Sequence, residues 1–212
     1  MNEVYKISEV NIPLIPLRGY WVMPTTMLNF DSARSISKNA VENAKLNNEE
    51  LFLTNQFDIF DDNPKKDGLH EVGIVAEIKE TFPLPNGDVR VFVQAIGLGR
   101  LKEVKVAEGF LRSVIEKYEY IEENEEKTDT LEALRKILIN DFRQYSNIND
   151  DLPDEIAYGM TELENYHRLV DLITYHLDLA PKEYYEILST LDAKDRMELV
   201  HRIINKEIDL KN

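Results

Sequence analysis

The 212 residues include no cysteine, which excludes disulfides, thiolate nucleophiles and Cys-based zinc sites, and suits a reducing compartment. Basic side chains are few: 25 Lys and Arg stand against 40 Asp and Glu, a formal charge of −15. That charge opposes approach to phosphate backbones and anionic lipid heads, so neither nucleic acid nor a membrane is an expected partner. Every apolar stretch is interrupted before it could span a bilayer. The opening Met1-Asn2-Glu3-Val4-Tyr5 lacks the basic, apolar and small-residue order of a secretory signal, and a cytoplasmic chain is expected. Catalytic motifs are also missing. There is no GxxxxGK[ST] phosphate loop and no G-x-S-x-G elbow. Gly97-Leu98-Gly99, the single GxG, reads as a bend or bulge after a strand. His70, His167, His176 and His201 form neither HExxH nor an i, i+4 pair, and no two of the 40 carboxylates stand out as acid and base. No metal, cofactor or catalytic residue is expected.

What is present is enough to fold: 43% of the residues are apolar and 9% aromatic. Charge is unevenly spread. Residues 1–120 carry 14 basic and 18 acidic side chains (net −4), and residues 121–212 carry 11 and 22 (net −11). Between them Ile121-Glu122-Glu123-Asn124-Glu125-Glu126-Lys127-Thr128 has one apolar residue in eight and reads as a solvated connector. The domains expected are therefore 1–120, rich in strand, and 121–212, helical.

In the first half, the prolines of Ile12-Pro13-Leu14-Ile15-Pro16-Leu17 predict an edge strand or an irregular extended segment, because proline cannot donate to a central ladder. Tyr20 to Met23 reads as a second extended piece closed by Pro24. Ala33, Ile36, Ala40, Val41 and Ala44 recur at helical spacing behind a cap at Asp31 or Ser32. Leu51 to Leu53 reads as a short buried strand, and Asp58 to Gly68 as a loop. Val72–Thr81 and Val89–Ile96 predict an antiparallel hairpin, with Asn86-Gly87 supplying a type I′ turn. Val89, Val91, Val93 and Ala95 share one face of its second arm, and Phe110 to Tyr120 adds another strand. A small twisted sheet or partial barrel is the expected outcome.

In the second half, Leu131, Leu134, Ile137, Leu138, Phe142 and Tyr145 form one stripe of a helix capped near Thr128 or Asp129 and broken by Ser146–Pro153. Three or four helices follow. Leu169, Val170, Ile173 and Leu177 mark one, Pro181 starts another, and Asp192 caps a last one carrying Met197, Val200, Ile203, Ile204 and Ile208. This last helix meets no stop signal before Asn212, which predicts a longer natural chain.

Several segments, in order, resemble the N-terminal domain of bacterial ATP-dependent Lon proteases. They are Ile12 to Gly19, Met23-Pro24, Phe30-Asp31 with Arg34 and Ser37, Glu71 to Ile78, Leu84 to Val91, and Gly99-Arg100-Leu101 as a strand exit. In the second half they are Arg168 to Asp171, Glu186 to Leu188, Leu191-Asp192 and Arg196 to Leu199. The chain departs from the family pattern at Thr25, Asn29, Ser35-Ile36, where a Glu-Lys pair is common, and near Asn165-Tyr166. The resemblance implies an α+β fold: a PUA-like β-rich pseudo-barrel followed by a helical bundle whose last helix would continue towards an AAA+ ATPase and a Ser-Lys protease. It implies a non-catalytic part that binds unfolded or damaged proteins and supports ring assembly, with ATP and Mg acting only in the absent modules. A hexamer is implied for the full-length protein, and a monomer or weak dimer for this fragment. The alternative is a free-standing adaptor or scaffold made of this domain alone.

A surface that captures unfolded chains needs exposed apolar area. Tyr20 to Met27 holds the single Trp and two of the five methionines, which makes Trp21, Met23 and Met27 candidates. Phe82 and Leu84 beside the hairpin tip are further candidates. The resemblance adds Arg34, Ser35, Ile36 and Lys38 on the first helix.

Overall fold

The computed structural model describes residues 4–149 and 152–211. Positions 150 and 151 of the predicted break, and Asn212, lie outside them. The chain divides into two compact units, Met1–Ile121 and Glu122–Asn212.

The first unit is a six-stranded sheet with one long helix, made of β1 (Tyr5–Leu17), β2 (Met27–Ser32), α1 (Ser35–Asn47), β3 (Leu51–Asn55), β4 (Val72–Pro83), β5 (Val89–Val106) and β6 (Leu111–Tyr120). The strand order is β2-β5-β4-β3-β1-β6, and a further pairing of β5 with β6 closes five of the strands into a barrel. Closure depends on β5. Its first half pairs with β2 and β4, and its second half, from Leu98, pairs with β6. Ile12, Leu14, Phe52, Val75, Leu101 and Ile115 fill the interior. A Cβ on Gly99 would sit 2.7 Å from the Phe52 ring and 2.8 Å from Ile115, so this glycine makes room for the largest core side chain.

Four local expectations are corrected. β1 is an interior strand, antiparallel to β6 over Tyr5–Leu14 and parallel to β3 over Leu14–Leu17. Its prolines survive because they straddle the hand-over between partners. The Pro16 carbonyl accepts from Arg34 and so points away from β3, to the side where pairing with β6 has ended. Pro13, of opposite parity, faces the side where pairing with β3 has not begun. Tyr20 to Met23 is not a strand; the strand is Met27–Ser32. α1 is not capped by Asp31 or Ser32, which belong to β2; Arg34 holds the N-cap position without a side-chain cap. The hairpin turn is not type I′ either. Gly87 has φ +85° while Asn86 stays negative; the Leu84 carbonyl accepts from Gly87 N–H and the Asp88 carbonyl from Leu84 N–H, a three-residue loop ending in a left-handed glycine. In addition, Gly99-Arg100-Leu101 is not a strand exit, because β5 runs on to Val106; the bulge expected at Gly97-Leu98-Gly99 falls just before Gly97, as a register shift opposite Val75/Ala76, within the strand instead of after it.

Other expectations hold. β3 is buried at every position, the hairpin and β6 form, and Val91, Val93 and Ala95 face inward. α1 buries Ser37, Ala40, Val41 and Ala44, spaced for one helical face.

The second unit is all helix: α2 (Asp129–Asn147), α3 (Asp154–Gly159), α4 (Tyr166–Tyr175), α5 (Pro181–Ser189) and α6 (Ala193–Lys211). Thr128 Oγ1 accepts from Leu131 N–H, Asn165 Oδ1 from Arg168 N–H and Asp192 Oδ1 from Asp195 N–H, so three starts are capped by side chains. Leu138, Phe142, Met160, Leu169, Ile173, Met197, Val200 and Ile204 form the core. Inside it Arg196, 2% exposed, donates to Asp171 at 2.7 Å and to His167 Nδ1 at 3.0 Å. Because a guanidinium only donates, Nδ1 is the acceptor, and His167 Nε2 faces Glu125 at 3.7 Å.

Candidate functional site

Directly opposed residues of antiparallel strands share a face, so register decides which side chains meet. Across β2, β5 and β4 the outward rows are Met27, Gln94 and Glu77; then Asn29, Phe92 and Glu80; then Asp31, Arg90 and Phe82. Met27 is 65% exposed and Phe82 47%, and the Phe82 ring stands edge-on to Phe92 at 5.7 Å. Two exposed apolar residues remote in sequence thus lie on one outward face of the sheet, two rows apart. The charges between them are self-paired: Arg90 grips Asp31 through Nε at 2.7 Å and a terminal nitrogen at 2.9 Å, which holds the Asp31 carboxyl below its ordinary range.

Phe82 also lines an open cleft of about 770 Å³ between the end of α1 and β4. Glu49, Glu50, Glu77 and Glu80 line it against Lys45 and Lys79. Arg112 holds Glu49 at 2.7 Å, Lys117 holds Glu50 at 2.7 Å and Lys79 holds Glu77 at 2.6 Å. The cleft is acidic with an aromatic at its edge, which suits a segment combining apolar and basic side chains.

Trp21 belongs to a second group. Its ring lies 5.2 Å from His70, whose other neighbour is Phe57 at 4.1 Å. Burial lowers the His70 pKa from its usual 6.5. Phe57 is 63% exposed and Phe60 83%, with Ile59 also exposed. These three were missed from sequence, because Asp58, Asp61 and Asp62 give the segment the look of a polar loop; Phe57-Asp58-Ile59-Phe60, three apolar residues in four, was the available signal.

The remaining candidates serve other ends. Met23 is 3% exposed, a core residue whose carbonyl accepts from the Thr26 amide and hydroxyl, so the expectation of a surface Met23 is corrected. Arg34 donates to the Pro16 carbonyl and to Gln56 Oε1 at 3.0 Å. Burial, with Arg18 nearby, lowers its pKa. Lys38 ties α1 to the hairpin tip, donating to the Gly87 carbonyl at 2.8 Å and pairing with Asp88 at 3.3 Å. Ser35 is exposed, Ile36 and Leu84 are half-buried, and the Leu84 backbone closes the tip. Among the described residues no group of three His, Asp or Glu side chains could hold a metal ion.

A closed barrel with exposed apolar side chains on its sheet, followed by a helical unit, defines an α+β module whose candidate site is a docking surface. The profile of the family described as "ATP-dependent protease La (LON) substrate-binding domain" matches residues 11–206, and the chain belongs to that family. Its relatives include the Lon protease of Clostridioides difficile, 32% identical over 212 residues, which cover 99% of this chain and 27% of that protein. Lon protease 1 of Bacillus subtilis is 37% identical over 197 residues, 93% of this chain and 25% of that protein. The chain therefore spans about a quarter of the length of the curated relatives it matches. Its fold is that of the N-terminal domain of the Mycobacterium avium complex Lon protease, with TM-score 0.73 at 16% identity over 94% of this chain and 98% of that one. The Lon N-terminal domain protein of Xanthomonas campestris follows, with TM-score 0.65 at 12% identity over 90% and 96%.

Proposed function

We propose that this chain is the substrate-capturing part of an ATP-dependent Lon serine protease, holding unfolded or damaged polypeptides for an AAA+ unfoldase and a Ser-Lys protease. The observation that carries this reading is the face of Met27, Phe92 and Phe82 beside an acidic cleft, on a chain of the substrate-binding family. Apolar side chains displayed on hydrogen-bonded strands cost little ordering entropy when a partner docks, and a thioether and two phenyl rings accept many sequences. The Trp21, His70 and Phe57 group, with Phe60, is a second contact. One copy binds weakly, because a flexible substrate loses entropy when held; six copies in a ring raise the effective concentration. The chain acts in the cytoplasm without a cofactor of its own, ATP and Mg serving the ATPase module, and binds neither nucleic acid nor membrane. Among the described residues no helix is long and apolar enough to cross a membrane.

The test is amide NMR of the 212-residue chain against a permanently unfolded protein and its folded counterpart. Shifts with the unfolded form alone, grouped on residues 27–29, 80–82 and 92–94, support the reading. Equal response to both forms, or none at millimolar concentration, would sink it.

A further inference from the structure

A smaller cavity of about 170 Å³ lies at the start of α1, lined by Ile15, Arg18, Tyr20, Phe30, Ser32 and Arg34 among others. Two of its buried polar groups, one hydroxyl and one guanidinium N–H, have no partner. Ser32 is 2% exposed and its Oγ is buried without a partner, as is Nε of Arg18. Such groups cost free energy until a ligand satisfies them. α1 begins here with no side-chain cap and no acidic residue in its first turn, so the positive end of a 13-residue helix is unneutralised. The acids nearby are already engaged: Asp31 by Arg90, and the largely exposed Asp62 by a terminal nitrogen of Arg18 at 2.8 Å. The other wall, Ile15, Phe30 and Tyr20, is apolar or aromatic.

We infer that this cavity binds a single carboxylate, and that its occupant is the C-terminal residue of a polypeptide. The carboxylate meets the Ser32 hydroxyl and Arg18 Nε near the positive end of α1, while the terminal side chain rests on Ile15, Phe30 and Tyr20. The volume admits one residue of moderate size. The polypeptide part rests on the substrate-capture reading; the carboxylate part does not.

The test titrates the 212-residue chain by amide and arginine Nε–H NMR with an octapeptide ending in leucine, as free acid and as amide, with N-acetyl-leucine, and with inorganic phosphate. The free-acid peptide and N-acetyl-leucine are expected to shift residues 32–37 and Arg18 Nε–H, and the amidated peptide to bind about tenfold more weakly. Ser32→Ala, which removes an unpartnered hydroxyl, keeps the fold and weakens the free-acid peptide roughly fivefold; a purely structural serine would leave affinity unchanged, and that result overturns the proposal. Equal binding of acid and amide overturns it, as does phosphate binding tighter than the peptide. N-acetyl-leucine binding without the free-acid peptide overturns the polypeptide assignment. An unfolded protein with an amidated terminus that shifts residues 27–29 and 80–82, while no carboxylate moves residues 32–37, sinks the cavity proposal and leaves the substrate-capture reading standing.

Discussion

The two units bury polar groups in different ways. In the barrel unit the buried polar side chains mostly serve backbone: Thr54 donates to the His70 carbonyl, Asn55 to that of Tyr20, Gln56 to those of Asp58 and Asp61, and Ser113 to that of Ile12. In the helical unit the buried charged residues Arg196 and Asp171 bond to each other, while Thr174 returns to the Val170 carbonyl of its own helix. Strand ends and loops leave carbonyls open that side chains can cap, whereas a helix interior saturates its own backbone and offers few. A short hydroxyl can fold back on its own helix, but a charge facing a helical core needs a side-chain partner. The units also differ in tolerance of close approach, the barrel resolving it with glycines and the helices with ordinary side-chain spacing.

Asp171→Ala should have the largest effect, since it leaves the Arg196 charge buried without its carboxylate. A loss of about 3–5 kcal/mol is expected by urea denaturation, partly recovered in Asp171→Ala with Arg196→Met. A loss below about 1 kcal/mol would erase the contrast between the units. Gly99→Ala should cost the barrel about 1–3 kcal/mol through overlap with Phe52 and Ile115. Gly159→Ala at the end of α3, where a Cβ meets nothing within 4 Å, should instead be neutral or stabilising by about 0.4–1 kcal/mol. Similar melting temperatures for the two alanine variants would show that the barrel is no tighter than the helices.

Acid offers a smaller effect shared by both units. Burial lowers the pKa of His70 in the barrel and His176 in the helical unit from the usual 6.5. As pH falls the unfolded chain takes up these protons before the folded one, so this stability is full above about pH 6.5 and is lost through the folded-state values. Histidine NMR titration should place both midpoints below 6.5, and His176→Gln should flatten the stability slope; an unchanged slope would assign the effect to carboxylates. The smallest stability change belongs to Met27→Asp, within about 1 kcal/mol because the side chain faces solvent. The same variant should weaken binding of an unfolded protein severalfold, read by NMR titration. A folded variant that binds undiminished would remove Met27 from the capture face.

The helical unit was largely legible in the chain, because 3.6-residue spacing and capping residues act locally: Thr128, Pro181 and Asp192 start α2, α5 and α6 as their chemistry predicts. The barrel was legible in its strands and less so in its joints. The prolines of β1 pointed to an edge, since nothing local reveals that the strand changes partners between residues 13 and 16. Asp31 and Ser32 looked like helix caps because their pairing with Arg90 and Val89 is long-range. Met23 and Met27, four residues apart in one apolar stretch, ended on opposite sides of the surface.

By itself the sequence determined a cysteine-free, acidic chain of two units, one of strands and one of helices, with Met27 and Phe82 as candidate contacts. Composition, period and capping are properties of neighbouring residues and need no fold to be read. Only the tertiary structure decided that these two side chains share a face. A one-residue register shift between Ile78 and Glu80 turns Phe82 outward, into the row of Arg90 and onto the face that carries Met27. Without that extra residue Phe82 would follow Ile78 inward, because strand side chains alternate with a period of two and a slip of one reverses every side chain beyond it.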